Sequence, residues 1–358
     1  MTAPALFIDF ETRSPVDLRK AGLMRYARDP QTETLMMAWA FGDAPVDIMF
    51  DGDDRWHGQL ACIVDHVEAG GIVVAHNAQF ELAIWNYVMV PRYGWPRLRI
   101  EQVRCTLAAC YAMALPGALE DAAHALGLAV KKDAEGRALM LKLCKPRGVI
   151  DGKPVYHETP EQIARLGEYC KQDVVVEREI FRRVLPLSDH EQRIWQLDQH
   201  INLRGIPFDL PSLAAALVVA DKEKERLDGE MARVTDGAVK ACSALPALKE
   251  WAADRGVMPE GLTKAEVNEL LGEECLPDEV EDALKIRQSA GRFTSISKLN
   301  AIQRREVGGR VHYALQYHAA TTGRWAGRGV QPHNFARDLP KPHEVEEIMT
   351  LLRSAGDG

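Results

Sequence analysis

The sequence predicts an α/β domain followed by a mainly helical region, and three observations carry that expectation. Short apolar runs of β-branched and aromatic residues crowd the first part of the chain. Helical periodicity takes over near residue 105, and Pro186 divides two stretches of different pattern. At 358 residues the chain is long enough for two cores.

Residues 5–11 (ALFIDFE) open as a strand, and residues 34–42 and 46–50 read as a hairpin around Gly42–Pro45. A helical stretch near 57–69 leads to GIVVAH, 71–76, a buried-strand pattern closed by His76 and Asn77. Helical pattern resumes over 78–88, and Ile100–Val103 reads as another strand. Helices then dominate over 119–126, 136–143 and 160–183, the last with Thr159 as N-cap and Pro160 in its first turn. Beyond Pro186 helical pattern covers 189–204, 211–234, 244–254, 263–271, 277–290 and 293–305, with strand-like pieces at 205–209 and 310–318. A Gly- and Arg-rich loop over 321–334 and a helical piece near 343–353 follow. The expected division is 1–186, then 187–340, then a C-terminal helix or tail over 341–358.

Composition excludes several classes. No apolar run approaches the roughly 20 residues that span a bilayer, and no basic leader precedes the first apolar run, so a cytoplasmic protein without membrane contact is expected. Seven dispersed cysteines without a C-x-x-C pair argue against a disulfide framework and a zinc site. The net charge of −8 does not advertise a nucleic-acid binder. It hides an asymmetry, however. From Ala283 to Arg337 ten basic residues (Lys285, Arg287, Arg292, Lys298, Arg304, Arg305, Arg310, Arg324, Arg328 and Arg337) face one acid, Glu306, which makes this stretch a candidate phosphate-binding face.

Three short motifs carry the chemistry. In Asp9-Phe10-Glu11, residues i and i+2 of a strand project from one face, and two acids at the end of an apolar strand are costly unless a cation compensates them. In His76-Asn77-Ala78-Gln79-Phe80-Glu81, at a strand-to-helix junction, Asn77 is placed to cap the helix and Glu81 follows one turn later. In Tyr169-Cys170-Lys171-Gln172-Asp173, hydroxyl and carboxylate share one helix face. Each alone has an ordinary explanation: a solvated strand end, a helix cap, a half-buried tyrosine beside a surface acid. Together they supply four carboxylates and a tyrosine, a set that suits two hard cations with oxygen ligands.

In their order and spacing the three motifs resemble the DEDD exonucleases, in the subgroup with tyrosine in the third motif. That domain precedes the polymerase in family A DNA polymerases of bacteriophage and prophage type. The resemblance implies a ribonuclease-H-like fold, two divalent cations (Mg²⁺ or Mn²⁺) and 3′–5′ proofreading removal of nucleotides from single-stranded or frayed DNA 3′ ends. It puts metal ligation on Asp9, Glu11, Glu81 and Asp173, and orientation of the attacking water on Tyr169. It also puts His76, Asn77 and Phe80 against the substrate. The second motif usually ends in Asp; here it ends in Glu81, whose extra methylene still permits ligation, directly or through water.

The resemblance extends further. Residues 191–209 are similar to the segment that opens the polymerase part of such enzymes, and 317–334 (YHAATTGRWAGRGVQPHN) resembles their loop that grips primer–template DNA. It implies a thumb-like DNA-binding region over 187–340, with Arg324, Arg328, Gln331 and Asn334 on the DNA. No segment resembles the palm or fingers, so synthesis is not expected from this chain alone, and a partner chain supplying them is one expectation. An RNA-trimming nuclease on the same fold and a catalytically weak DNA-binding subunit of a split polymerase are the alternatives.

Overall fold

Strand β1 (Leu6–Arg13) is the centre of a five-stranded sheet. β2 (Glu33–Phe41) and β3 (Asp47–Phe50) lie on one side of it, β4 (Val73–Ala75) and β5 (Val103–Cys105) on the other, in the order β3-β2-β1-β4-β5. β1 runs antiparallel to β2 and parallel to β4. The computed structural model describes residues 3–52, 56, 61–129, 133–272, 275–291, 296–335 and 340–356.

The period of two assigns each residue of β1 to one of two cores. Leu6, Ile8 and Phe10 join a cluster with Val73, Trp85 and Trp95. Phe7 faces the opposite cluster, with Leu166, Cys170 and Val174. Asp9 and Glu11 share the side of Phe7. The helices that cover these faces include α1 (Leu18–Ala21), α2 (Leu23–Arg28), α3 (Ala61–Glu68), α4 (Gln79–Ile84), α5 (Val90–Tyr93), α6 (Thr106–Ala112), α7 (Leu119–Ala125) and α8 (Ala134–Leu143). A hairpin of β6 (Gly148–Ile150) and β7 (Lys153–Val155) then precedes α9 (Pro160–Arg183). Thr159 caps α9 by accepting from Gln162 N, and Pro160 fills its first turn.

The expected hairpin is present as β2–β3, with Met36 opposite Phe50 and Trp39 opposite Asp47. The strand expected over 100–103 is displaced: Ile100–Gln102 forms a 3₁₀ turn and β5 begins at Val103. The helix expected over 78–88 is α4 followed by a π turn at Trp85–Met89 and then α5. Asn77 does not cap α4. Ala78 occupies the cap without a side-chain bond, and Asn77 sits at φ +62°, a left-handed turn that Asn tolerates. Of the helix expected near 57–69, residues 57–60 lie outside the described residues, as do 293–295 of the one expected over 293–305.

Contacts group Met1–Pro207 with Arg305–Phe335 as one unit and Phe208–Arg304 with Ala336–Gly358 as a second. By contacts the chain thus divides after Pro207, while its sequence pattern changes at Pro186. The reason is apolar: Trp195 on α10 (Asp189–Arg204), Tyr313 and Tyr317 are buried in the Trp85 cluster, with Trp325 packed against it. The strand expected at 205–209 is two residues long, β8 (Ile206–Pro207).

The second unit is helical. It is built on α11 (Leu210–Val234), α12 (Leu245–Ala253), α13 (Lys264–Leu270), α14 (Asp278–Gly291) and α15 (Ile296–Arg305), with α16 (Pro342–Gly356) further on. Its core gathers Leu227, Met231, Leu248, Trp251, Val267, Val280 and Leu284. In the first unit, β9 (Glu306–Val307), β10 (Arg310–Val311), β11 (Leu315–Gln316) and β12 (Ala326–Gly327) replace the single strand expected over 310–318, because Tyr313 and His318 take positive φ. The basic stretch is thus shared between the units: Lys285, Arg287, Lys298 and Arg304 fall in the second, Arg305, Arg310, Arg324 and Arg328 in the first. Arg292 and Arg337 lie outside the described residues. No described helix is long and apolar enough to cross a membrane.

Candidate metal-binding active site

Asp9 and Glu11 leave β1 on the face that α9 covers. Tyr169, Asp173 and Glu177 follow one another along α9 at one-turn intervals, so their side chains form one stripe toward those acids. One ligand oxygen from each of Asp9, Glu11 and Asp173 lies within 4.8 Å of the other two. Glu81, from the first turn of α4, lines the same cleft but stands outside that closest group. Glu177, only 2% exposed, completes a set of five carboxylates.

Withdrawing a carboxylate from water costs several kcal/mol unless donors or a cation replace the lost solvation. Here the neighbours make matters worse. Burial raises Asp9 to about 6, with a hydrogen bond from the Cys170 thiol (3.3 Å to Oδ2) opposing the rise. Burial and then the charge of Asp9 raise Asp173 to about 8, against the Tyr169 hydroxyl, which favours its ionised form. Glu11 is pushed well above the carboxylate range by burial and then by Asp9, Asp173 and Glu81. Glu81 rises through burial and Asp9, and Glu177 through burial, Asp9, Glu81 and Asp173. Among the described residues no lysine or arginine pairs with any of the five. Glu81 Oε2 and Glu177 Oε1 are buried without a hydrogen-bond donor among the described residues. A set of hard oxygen acceptors with no cation paired to it among the described residues fits the chemistry of a divalent ion of the Mg²⁺, Mn²⁺ or Ca²⁺ type, and Asp9, Glu11 and Asp173 could hold one.

The cleft has a volume of about 350 Å³. Its acidic wall is Asp9, Glu11, Glu81 and Asp173, with Tyr169 beside them. Leu18, Phe80, Met140 and Leu141 supply an apolar wall, and Arg19 and Lys145 add positive charge at its edge. Such a cleft can hold a flat apolar body with an anionic group, one end of which meets the acids.

Five of the residues expected at the site therefore meet in one cleft, Asp9, Glu11, Glu81, Tyr169 and Asp173, and Phe80 joins them. His76 does not. Its Nε2–H donates to the Gly117 carbonyl (2.9 Å), its Nδ1 meets the Thr106 hydroxyl (2.8 Å), and burial lowers it to about 4, so it is a neutral fastener between β4 and α6. Asn77 lines a separate small cleft with Gln79, Tyr111, Asp198, Gln316 and Tyr317. Arg324, Arg328, Gln331 and Asn334 lie around the β11–β12 pair: Arg328 Nε donates to Gln316 Oε1, and Asn334 Nδ2 to Gln331 Oε1 (2.9 Å). Gly327 is required there, since a Cβ would come within 2.8 Å of the Gln331 Cα. Sequence reasoning misses Glu177, Arg19 and Lys145.

No protein-family model matches the chain. Among curated proteins, a DNA polymerase of Bacillus phage SP02 is 32% identical over 364 residues, which cover 97% of this chain and 53% of that protein. Among solved structures, the POL domain of Pol1 from M. smegmatis, in complex with DNA primer-template and dNTP, is similar with a TM-score of 0.52 at 15% identity, over 94% of this chain and 53% of that one. The second likeness is one of fold alone. The chain spans about half the length of the curated relative it matches, and along that half it is homologous to a phage DNA polymerase.

Proposed function

We propose that the first unit is a metal-dependent 3′–5′ exonuclease of the proofreading type, acting on DNA 3′ ends as part of a DNA polymerase-related protein, and that its sheet is ribonuclease-H-like. The observation that supports this most is the five-carboxylate cluster, to which no lysine or arginine pairs among the described residues, beside a cleft of nucleotide size. Asp9, Glu11 and Asp173, with Glu81 directly or through water, would hold two divalent ions, Mg²⁺ or Mn²⁺. When bound, these supply an activated water and charge for the leaving 3′ oxygen. The chain does the rest. Tyr169 orients the attacking water by its hydroxyl, Phe80, Leu18 and Met140 enclose the terminal base, and Arg19 and Lys145 attract the phosphate. In the same reading Arg324, Arg328, Gln331 and Asn334 contact primer–template DNA.

The test is digestion of a 5′-labelled single-stranded DNA oligonucleotide with Mg²⁺ or Mn²⁺, beside EDTA and Asp9→Ala controls and a matched RNA strand. A ladder shortening from the 3′ end of DNA, absent in both controls, is expected. Preferential digestion of the RNA would turn the reading to an RNA-trimming nuclease. No cleavage by a protein that still binds the strand would turn it to a DNA-binding subunit.

A further inference from the structure

The β6–β7 hairpin exposes two β-branched apolar side chains at its tip, Val149 at 67% and Ile150 at 59%. Asp151 and Gly152 make the turn with φ of +50° and +75°, so the ribbon reverses tightly. Lys145, Arg147 and Lys153 are exposed along it, and Asp151 is the only acid between Lys145 and Val155. A two-stranded ribbon is marginal by itself, so its position depends on its feet. Both feet are tied to the end of β1. The Ser14 amide donates to the Cys144 carbonyl at 3.3 Å. The Arg13 guanidinium lies over the Tyr156 ring at 4.8 Å and donates to Glu158 Oε2 at 2.8 Å. Arg13 stands two residues after Glu11, and Cys144 and Lys145 themselves line the acidic cleft. Val149 stands four positions after Lys145, which at about 3.3 Å per step puts it within roughly 13 Å of the cleft edge.

We propose that this hairpin is a wedge that engages the end of a DNA duplex beside the cleft. Val149 and Ile150, on opposite faces of the ribbon, present apolar surface to the last base pair and to the strand peeled from it, and Lys145, Arg147 and Lys153 hold the flanking phosphates. One strand is thereby freed toward the acids. The charge complementarity, the continuity with the cleft and the fixed distance from β1 favour this occupant over a protein partner. As a role in cleavage, the proposal rests on the exonuclease reading.

The test compares wild type with a V149S/I150S double variant on the same sequence, single-stranded or with a fully paired 3′ end. On the single strand the two proteins should match within about twofold. On the paired end the variant should be slower by about tenfold, the scale of an apolar wedge contact that offsets part of the unstacking of one base step. Equal slowing on both substrates, or none on either, overturns the wedge. A second measurement needs no cleavage: 2-aminopurine in the terminal base pair, bound in EDTA. Wild type should brighten it and the variant should not. Brightening by both proteins or by neither overturns the wedge, whereas brightening by wild type alone, without digestion of any strand, would overturn the exonuclease reading and leave the wedge standing.

Discussion

Asp198, on α10, and Asp173, on α9, are both carboxylates withdrawn from solvent in the first unit, and the protein surrounds them differently. Asp198 Oδ2 accepts from Gln199 Nε2 (2.9 Å) and Asn202 Nδ2 (3.1 Å), donors supplied one and four residues along its own helix. Burial raises it to about 7, and these two bonds oppose the rise. Asn202 then passes the order on, donating to the Leu315 carbonyl and accepting from the Leu315 amide. Asp173 has the Tyr169 hydroxyl in its favour and the charge of Asp9 against it. A buried acid with amide partners is architecture. A group of buried and half-buried acids facing one another leaves its compensation to something that arrives from outside.

The largest effect that should separate the two is catalytic. Asp9→Ala or Asp173→Ala should lower 3′ digestion by roughly a thousandfold or more, with DNA binding nearly intact and metal-free thermal stability unchanged or higher. Asp198→Asn should leave digestion within a few-fold. Undiminished cleavage by either alanine variant would break the assignment.

Next comes the response to metal. A cation at about 100 times its Kd adds about 2.7 kcal/mol to folding, so Mn²⁺ should raise the melting temperature by several degrees in wild type and in Asp198→Asn. It should do nothing in a D9A/D173A double variant. An equal rise in all three would mean that the ion binds elsewhere.

The dependence on pH sharpens the contrast further. Asp9 and Asp173 have folded-state values of about 6 and about 8, above the unfolded value of 3.8. The folded protein therefore holds more protons than the unfolded chain, and their contribution is fully present below pH 4 and lost as pH rises through 6 to 8. Urea denaturation in EDTA should show stability falling by a few kcal/mol across that window. Mn²⁺ should flatten the slope, since the ion takes the place of the protons. A flat profile in EDTA would show that the acids are solvated.

The smallest effect belongs to Asp198. The same sign applies, with the loss between about pH 4 and about 7. Asp198→Asn keeps an acceptor for the two amides and removes a buried charge whose other oxygen, Oδ1, has no hydrogen-bond partner among the described residues. It should stabilise the protein by about 1 kcal/mol at pH 8 and not at pH 4, by the same denaturation assay.

The acids of β1 and α9 are legible in the sequence because two simple periods govern them. Asp9 and Glu11 follow the strand repeat, Tyr169 and Asp173 the helical turn, and Thr159-Pro160 announces where that helix starts. Glu177 obeys the same stripe as Leu166, Cys170, Val174 and Phe181, yet a glutamate in a helix crowded with Glu and Arg reads as surface. Only the sheet above it makes that face interior. The departures share a cause in tertiary packing. Trp195, Tyr313 and Tyr317 join a core far from them in sequence, which no local pattern reveals, and this places the division after Pro207. His76 stands at the second motif, but its ring is spent on Thr106 and Gly117, contacts that lie 30 and 41 residues away. The hairpin over 148–155 carries the Asp-Gly turn signal, but strands of three residues, one with Pro154, leave no alternation to read.

Arg13 has a consequence for how the protein could change over time. The acids and the hairpin's feet are indexed to the same strand, two residues apart, like marks on one ruler. Residues 149–152 can therefore vary in size, charge or number without moving a carboxylate, whereas a single insertion between Asp9 and Arg13 would rotate one set of marks against the other. The tip is the exchangeable part of this unit and the strand its fixed gauge, so under the proposed function grafted tip sequences would change end preference without displacing the acids.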